Sequence, residues 1–400
     1  MMPSLSSARA RSVIALLATS SALMLISDAT AQQRRGEETR GSLSPLKACA
    51  DGQMKACAAM TDRELDEGSE EDLLARNKHP EFLAKCEKKD ATACVVVANN
   101  IFHGRGGIVP KPKAVEYYQR GCDGGDMLGC NNLGNLYLGG FGVKQDVSRA
   151  VTLYKRACDK GEPDGCLNLG VVLVNPKDKK RYDPNRGLQV LARACKLGQV
   201  SGCHLAGVLG LGDEAKGQVA LAVERLNTAC TSGVIESCMT LGNVYGKEDI
   251  GPTDLEKSKH FFGRACDLGK ADACVFLGKI HLGKDRERAH SYYMKACALG
   301  TATSCTVAGL DFQEGSGTAR DLKKANALFE KSCAQKEPEG CHQLANNLLG
   351  GRGIAADRDR AIRLFGQACS GELEEACVVL AALCRADNID ACAFVKSTSP

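Results

Sequence analysis

Tryptophan is absent from this 400-residue chain, and phenylalanine and tyrosine raise the aromatic share to only 4 %. Aromatic rings supply much of the buried area of large cores, so one big globular core is hard to build here. An excess of one charge is missing too: 52 basic and 48 acidic side chains leave a net +4, with both signs interspersed. That balance provides no broad field to draw in nucleic acid or an anionic membrane. Several chemistries also lack their residues. C-x-x-C, G-x-S-x-G and H-E-x-x-H do not occur, and Gly242 to Lys247 fails as a phosphate-binding loop because Glu248 stands where Ser or Thr is needed. The seven histidines are scattered, with no pair at a metal-like separation. Neither a metal nor a cofactor is expected.

Cysteine is what the chain has in plenty. Its 22 cysteines form eleven C-x7-C pairs: Cys49 and Cys57, Cys86 and Cys94, Cys122 and Cys130, Cys158 and Cys166, Cys195 and Cys203, Cys230 and Cys238, Cys266 and Cys274, Cys297 and Cys305, Cys333 and Cys341, Cys369 and Cys377, and Cys384 and Cys392. On one helix such residues would lie about 12 Å apart, whereas a disulfide needs Cα atoms within about 7 Å. A bonded pair must therefore straddle a chain reversal. In Ala157 to Cys166, the first cysteine reads as the last turn of a helix, Gly161 as a left-handed cap and Pro163 as the first turn of the next helix. Lys89, Lys336, Glu372 and Asp387 stand where most pairs have that glycine, so those turns lack their signal. The residue before each second cysteine is small, which suits a close crossing of two helices. Bonding of each second cysteine to the next pair is the alternative connectivity. It would orphan Cys49 and Cys392, and the invariant spacing favours local bridges.

Residues 1–31 read as a cleaved export signal: Arg9 and Arg11, a mostly apolar Val13 to Ile26 too short to span a membrane, then Ala29-Thr30-Ala31. Export and paired cysteines agree, because disulfides persist in oxidising compartments. The expected location is a bacterial periplasm or the exterior, with no membrane insertion after cleavage. Residues 32–45 read as a flexible leader, 46–85 as an N-terminal cap and 378–395 as a C-terminal cap. The acidic stretch Asp62 to Asp72 reads as a solvated surface.

Between the caps, residues 86–377 repeat with a period near 36: successive first cysteines lie 36, 36, 37, 35, 36, 31, 36 and 36 residues apart. A fixed period in this range marks a solenoid of helix pairs. One unit is legible from Gly129 to Lys160. Its first helix carries Cys130, Leu133, Gly134, Tyr137 and Leu138 on one face, Gly139 to Gln145 breaks it, and Asp146 caps a second helix with Ala150, Leu153, Tyr154 and Ala157 facing back. Glycine recurs four residues past the second cysteine, as at Gly134 and Gly170, which points to tight helix crossings. Tyr117, Tyr137, Tyr154, Tyr245 and Tyr293 fall on packing stripes.

Leu133-Gly134-x-x-Tyr137, Gly140-x-Gly142-Val143, the capping Asp146 and Ala150-x-x-x-Tyr154 resemble the Sel-1-like repeat, a relative of the tetratricopeptide repeat. With a C-x7-C pair in each unit, the chain is similar to the Helicobacter-type cysteine-rich proteins. The resemblance spans residues 80–380 and about eight units. It implies an all-α, right-handed solenoid of antiparallel helix pairs stapled by disulfides. The units with Cys203 to Cys230 and Cys274 to Cys297 depart from it by lacking G-x-G-V.

Two functions come from this reading. The first is an exported, non-catalytic scaffold, monomeric, whose first helices line a groove for a protein or extended peptide. Asn99, Asn135, Asn243 and Asn346 share one register, five past the second cysteine, and their amides suit a peptide backbone. Val171, Val208 and Leu310 take the same register, which marks it as half-buried. The alternative, a β-lactamase or penicillin-binding hydrolase or a binder of cell-wall peptides, follows from activities assigned within the resembled family. That chemistry needs S-x-x-K with S-D-N and K-T-G elements. The only S-x-x-K is Ser44 to Lys47, in the leader, and the other two elements do not occur. No catalytic residue is assigned.

Overall fold

A computed structural model describes residues 80–386, apart from 104–110, 213–217 and 247–252, together with Cys392. The export signal, the leader, Ser44, Asp387 and most of both expected caps lie outside the described residues. So does the first cysteine pair: the bridge expected between Cys49 and Cys57 falls on residues that the structure does not describe. Eighteen helices and no strand occur among those described. Two compact units divide the chain after Ser232.

In the unit ending at Ser232, the helices are α1 (Pro80–Glu87), α2 (Ala91–Phe102), α3 (Lys111–Asp123), α4 (Met127–Gly139), α5 (Val147–Asp159), α6 (Pro163–Leu173), α7 (Pro184–Lys196), α8 (Val200–Leu209) and α9 (Val219–Thr231). The unit from Gly233 holds α10 (Ile235–Gly246), α11 (Leu255–Asp267), α12 (Ala271–His281), α13 (Arg286–Ala298), α14 (Ala302–Glu314), α15 (Leu322–Ala334), α16 (Pro338–Gly350), α17 (Arg358–Ser370) and α18 (Glu374–Arg385). Even-numbered helices are the first of each repeat and odd-numbered the second. Within each unit, helices consecutive in sequence pack together, and first helices of neighbouring repeats touch: α2 with α4, α4 with α6, and α14 with α16.

Polar side chains set where the helices begin. Asp146, Asp183, Asp254, Asp285, Asp321 and Asp357 each accept a hydrogen bond from the backbone N–H three residues on, which satisfies a donor the helix leaves open. Pro163 and Pro184 start α6 and α7, where a missing N–H costs nothing. Between a second helix and the next first helix the chain reverses through one left-handed residue. Gly161 has φ 89°, and nothing stands near enough to demand glycine except that backbone angle. Lys89, Lys336 and Glu372 adopt the same conformation at φ 69°, 63° and 66°. The turn therefore survives without glycine, at a cost of about 1 kcal/mol for each side chain.

Within each unit, the turns from a second helix to the next first helix are closed by disulfides. Cα separations are 4.4 Å at Cys122–Cys130, Cys158–Cys166 and Cys195–Cys203, and 4.7 Å at Cys86–Cys94. In the second unit they are 4.8 Å at Cys266–Cys274 and Cys369–Cys377, 4.6 Å at Cys297–Cys305 and Cys384–Cys392, and 4.5 Å at Cys333–Cys341. Cys230 and Cys238 are disulfide-bonded as well, and no cysteine is free among the described residues. Every bridge with a measured geometry is the local one.

The small residues explain how so few aromatics suffice. A Cβ at Gly134 would lie 2.6 Å from the Tyr154 ring, at Gly170 2.5 Å from Leu191, and at Gly309 2.5 Å from Phe329. Each of these three glycines thus makes room for one large side chain of the following second helix, and Tyr154, Leu191 and Phe329 are all fully buried. The glycine brings the helices close enough for that one side chain to fill the crossing, while leucines such as Leu133 and Leu136 complete the buried face. A second device links successive repeats. Arg156 donates to the Cys122 carbonyl at 3.0 Å, Arg193 to the Asp159 carbonyl at 3.2 Å and Lys331 to the Cys297 carbonyl at 2.9 Å. Each places a cation at the C-terminal end of the preceding second helix, where the helix dipole is negative.

Candidate functional site

On the first helices of the first unit, asparagines form a ladder. Buried Tyr118 and Tyr154 each end in a hydroxyl, and desolvation pushes both phenols above their ordinary range, so both stay protonated. A buried hydroxyl needs an acceptor. Tyr118 donates to Asn99 Oδ1 at 2.5 Å, and Tyr154 donates to Asn135 Oδ1 at 2.7 Å. The same oxygens take a second bond from the next first helix: Asn132 Nδ2 reaches Asn99 at 3.3 Å, and Asn168 Nδ2 reaches Asn135 at 3.2 Å. Asn131 completes the run, donating to Asn132 Oδ1 at 3.3 Å and accepting from Asn168 Nδ2 at 2.8 Å.

This wiring fixes which way two amides present their protons. Both acceptor lone pairs of Asn99 and Asn135 are engaged within the protein, while their Nδ2 groups bond to no partner among the described residues. The Asn168 Oδ1 is the complementary open acceptor. Donors and an acceptor one repeat apart match what an extended peptide backbone offers.

The second unit treats the same register differently. Asn243 follows Gly242, whose Cβ would meet the Phe262 ring at 2.8 Å, and phenylalanine carries no hydroxyl to hold the amide. Asn346 lines an open cleft of about 290 Å³ with Gln313, Gln343, Asn347 and Arg352. Asn347 is buried at its back, donating to Gln313 Oε1 at 2.9 Å and to Asn326 Oδ1 at 2.7 Å. One residue further along the repeat, the second unit also carries a buried charge. Asp311 is fully buried; Arg286 donates to one carboxylate oxygen at 2.9 and 3.1 Å, and His290 Nδ1 stands 3.1 Å from the other.

The register named from sequence is therefore split: Asn99 and Asn135 are held, Asn346 lines a cleft, and Asn243 is exposed beside a phenylalanine. Sequence reading did not find Asn131, Asn132 and Asn168. A signal existed for the hydroxyls, since an asparagine is followed by a tyrosine nineteen residues later in both Asn99/Tyr118 and Asn135/Tyr154. The lateral bonds, between residues 33 and 37 apart, required the contact between first helices.

The Sel1 repeat model matches residues 91–126, 128–162, 235–270, 271–301, 308–337 and 338–372, half of the chain. The chain belongs to the Sel1 repeat family. Its Sel1 fold is shared with solved structures. A Sel1 repeat protein from Oxalobacter formigenes is similar with a TM-score of 0.53 and 22 % identity, over 82 % of this chain and 99 % of that one. The protective antigen c5321 of uropathogenic Escherichia coli, which has an SLR fold, is similar with a TM-score of 0.50 and 18 % identity, over 88 % of this chain and 78 % of the antigen. Cysteine-rich protein B of Helicobacter pylori shares 26 % identity over 32 % of this chain and 95 % of its own, with a TM-score of 0.27. No curated protein matches the chain. Residues 163–234, which carry α6 to α9, fall outside the Sel1 matches.

Proposed function

We propose that the chain is a non-catalytic Sel1 scaffold that holds an extended protein segment along its first helices. The observation that carries this reading is the orientation of Asn99 and Asn135, whose oxygens are engaged internally while their N–H groups are open. Those donors meet peptide carbonyls, and Asn168 Oδ1 accepts from a peptide N–H. In the second unit, taken by itself, the cleft around Asn346, rich in amides and bearing the Arg352 guanidinium, suits an acidic side chain of a bound protein. Export to an oxidising compartment is part of the proposal. Its supports are the bridged cysteines and the signal-like residues 1–31. No helix among the described residues is long and apolar enough to cross a membrane. The protein acts as a monomer, since one chain carries the whole ladder.

Substitution by aspartate separates binding from folding. Asn135→Asp and Asn99→Asp keep an oxygen for the tyrosine hydroxyl and remove the N–H donors. With peptides selected on the protein from an unstructured library, calorimetric titration is expected to show at least about a tenfold loss for the double variant. Unchanged affinity would remove the amides from the site. Ser44-dependent turnover of a chromogenic cephalosporin would replace the scaffold by a hydrolase.

A further inference from the structure

The connection between α6 and α7 departs from the other repeats. After α4, α14 and α16 the chain turns on paired glycines with positive φ, at Gly140 and Gly142, Gly315 and Gly317, and Gly351 and Gly353. After α6 it runs Asn175-Pro176-Lys177-Asp178-Lys179-Lys180-Arg181-Tyr182, with four cations against one acid. This stretch lies in the part of the chain that the Sel1 repeat model passes over. The loop is well tied: Arg181 and Tyr182 N–H groups bond to the Asp178 carbonyl, both at 2.9 Å, and the Asp183 N–H bonds to the Leu173 carbonyl at 2.8 Å.

We propose that this loop, with α5 and α7, forms a binding site for a phosphate ester. An open cleft of about 430 Å³ lies there, lined by Val151, Leu173 and Tyr182, by Ser148, Lys180, Arg181 and Arg186, and by one acid, Asp183, whose carboxylate is occupied in capping α7 through the Arg186 N–H. Arg181 is a positioning residue. Its guanidinium donates to Asp178 Oδ2 at 2.7 Å and to Ser148 Oγ at 2.6 Å, which pins the loop to α5. Because Ser148 Oγ accepts from Arg181, its own proton is left to donate outward.

Arg186 distinguishes the cleft from its equivalents. In every comparable repeat a cation stands three residues after the capping aspartate and is partnered. Lys257, Arg288 and Lys324 pair with their own caps, Arg360 pairs with Glu330, and Arg149 stacks on the Tyr137 ring at 4.4 Å. Arg186 makes no ion pair with a carboxylate among the described residues, and neither does Lys180. Both line the cleft. Two cations and a hydroxyl around an apolar patch suit the anionic oxygens of a phosphate group on a carbon skeleton. A small phosphate ester and an anionic lipid headgroup both present that chemistry.

The test uses the full mature chain at low ionic strength, where such contacts are least screened. Glycerol 3-phosphate is titrated calorimetrically, and flotation with vesicles of phosphatidylglycerol in phosphatidylcholine examines the lipid source. Binding in either arm is expected to weaken at least about tenfold in Arg186→Gln and in Lys180→Gln. Lys324→Gln, on the other unit, is expected to leave it unchanged. Both residues are exposed, so thermal unfolding of the variants should match the parent. Binding in neither arm, or binding that both glutamine variants retain, overturns the proposal.

Discussion

Asn135 in the first unit and Asn346 in the second occupy the same place in their repeats, yet only Asn135 is held by a neighbour's hydroxyl. The difference lies on the other helix of the pair. Where the ring that fills the gap beside the first helix is tyrosine, as at Tyr118 and Tyr154, the amide oxygen is captured and the amide direction is fixed. Where the ring is phenylalanine, as at Phe262 and Phe365, packing is preserved and the amide is released. One oxygen atom thus converts a core residue into a positioning device. The second unit invests its internal polarity elsewhere, in the Asp311 cluster and the Asn326–Asn347 pair, which tie helices together and leave the surface amides alone.

The units share their bridges, and removing one should cost both alike. Replacing Cys158 and Cys166 by alanine, or Cys333 and Cys341, opens a nine-residue loop worth about 2.5 kcal/mol by chain entropy. Hydrogen exchange should rise at α5 and α6 in the first case and at α15 and α16 in the second. Rises spread through both units would break the picture of local staples. Asp311→Ala is the next largest effect and belongs to the second unit alone. It strands His290 and Arg286, but Arg286 is partly exposed and can reach water, so the expected loss in denaturant unfolding is about 2 kcal/mol.

A smaller effect sharpens the contrast most directly. Tyr154→Phe should destabilise the first unit by about 1 kcal/mol and free the Asn135 side chain, which amide resonances in NMR would report. Phe262→Tyr in the second unit should do the reverse, slowing motion of the Asn243 amide. Smallest is the turn. Lys336→Gly should raise stability by at most about 1 kcal/mol, since it relieves a left-handed side chain, whereas Gly161→Lys should lower it by a similar amount.

How much of this was legible in the sequence depends on the distance over which each interaction acts. Bridges, caps and reversals involve residues within eight positions, and the pattern Cys158-x-x-Gly161-x-Pro163-x-x-Cys166 states its geometry outright. The turn at Lys336 was not legible, because the bridge and the packed helices impose a conformation that the local residue does not favour. Asn131 and Asn168 look like ordinary surface polar residues until α4 and α6 are seen side by side. The loop Lys177 to Arg181 carries no motif in the sequence beyond its run of charges. Only the pinning of Arg181 by Asp178 and Ser148 gives it a shape.

The eight-residue bridges also bear on how the chain acquires its crosslinks. A newly made cysteine meets its correct partner across the shortest loop, while the nearest wrong partner usually lies far behind, as Cys94 does from Cys122. Oxidation can therefore proceed in order from the first repeat onward, each repeat being locked before the next cysteine pair reaches the oxidant. The one place where order fails to protect is Cys377 and Cys384, seven residues apart. Both belong to α18, which holds them about 10 Å apart once formed. At that end of the molecule the helix itself, folding before oxidation, is the proofreader.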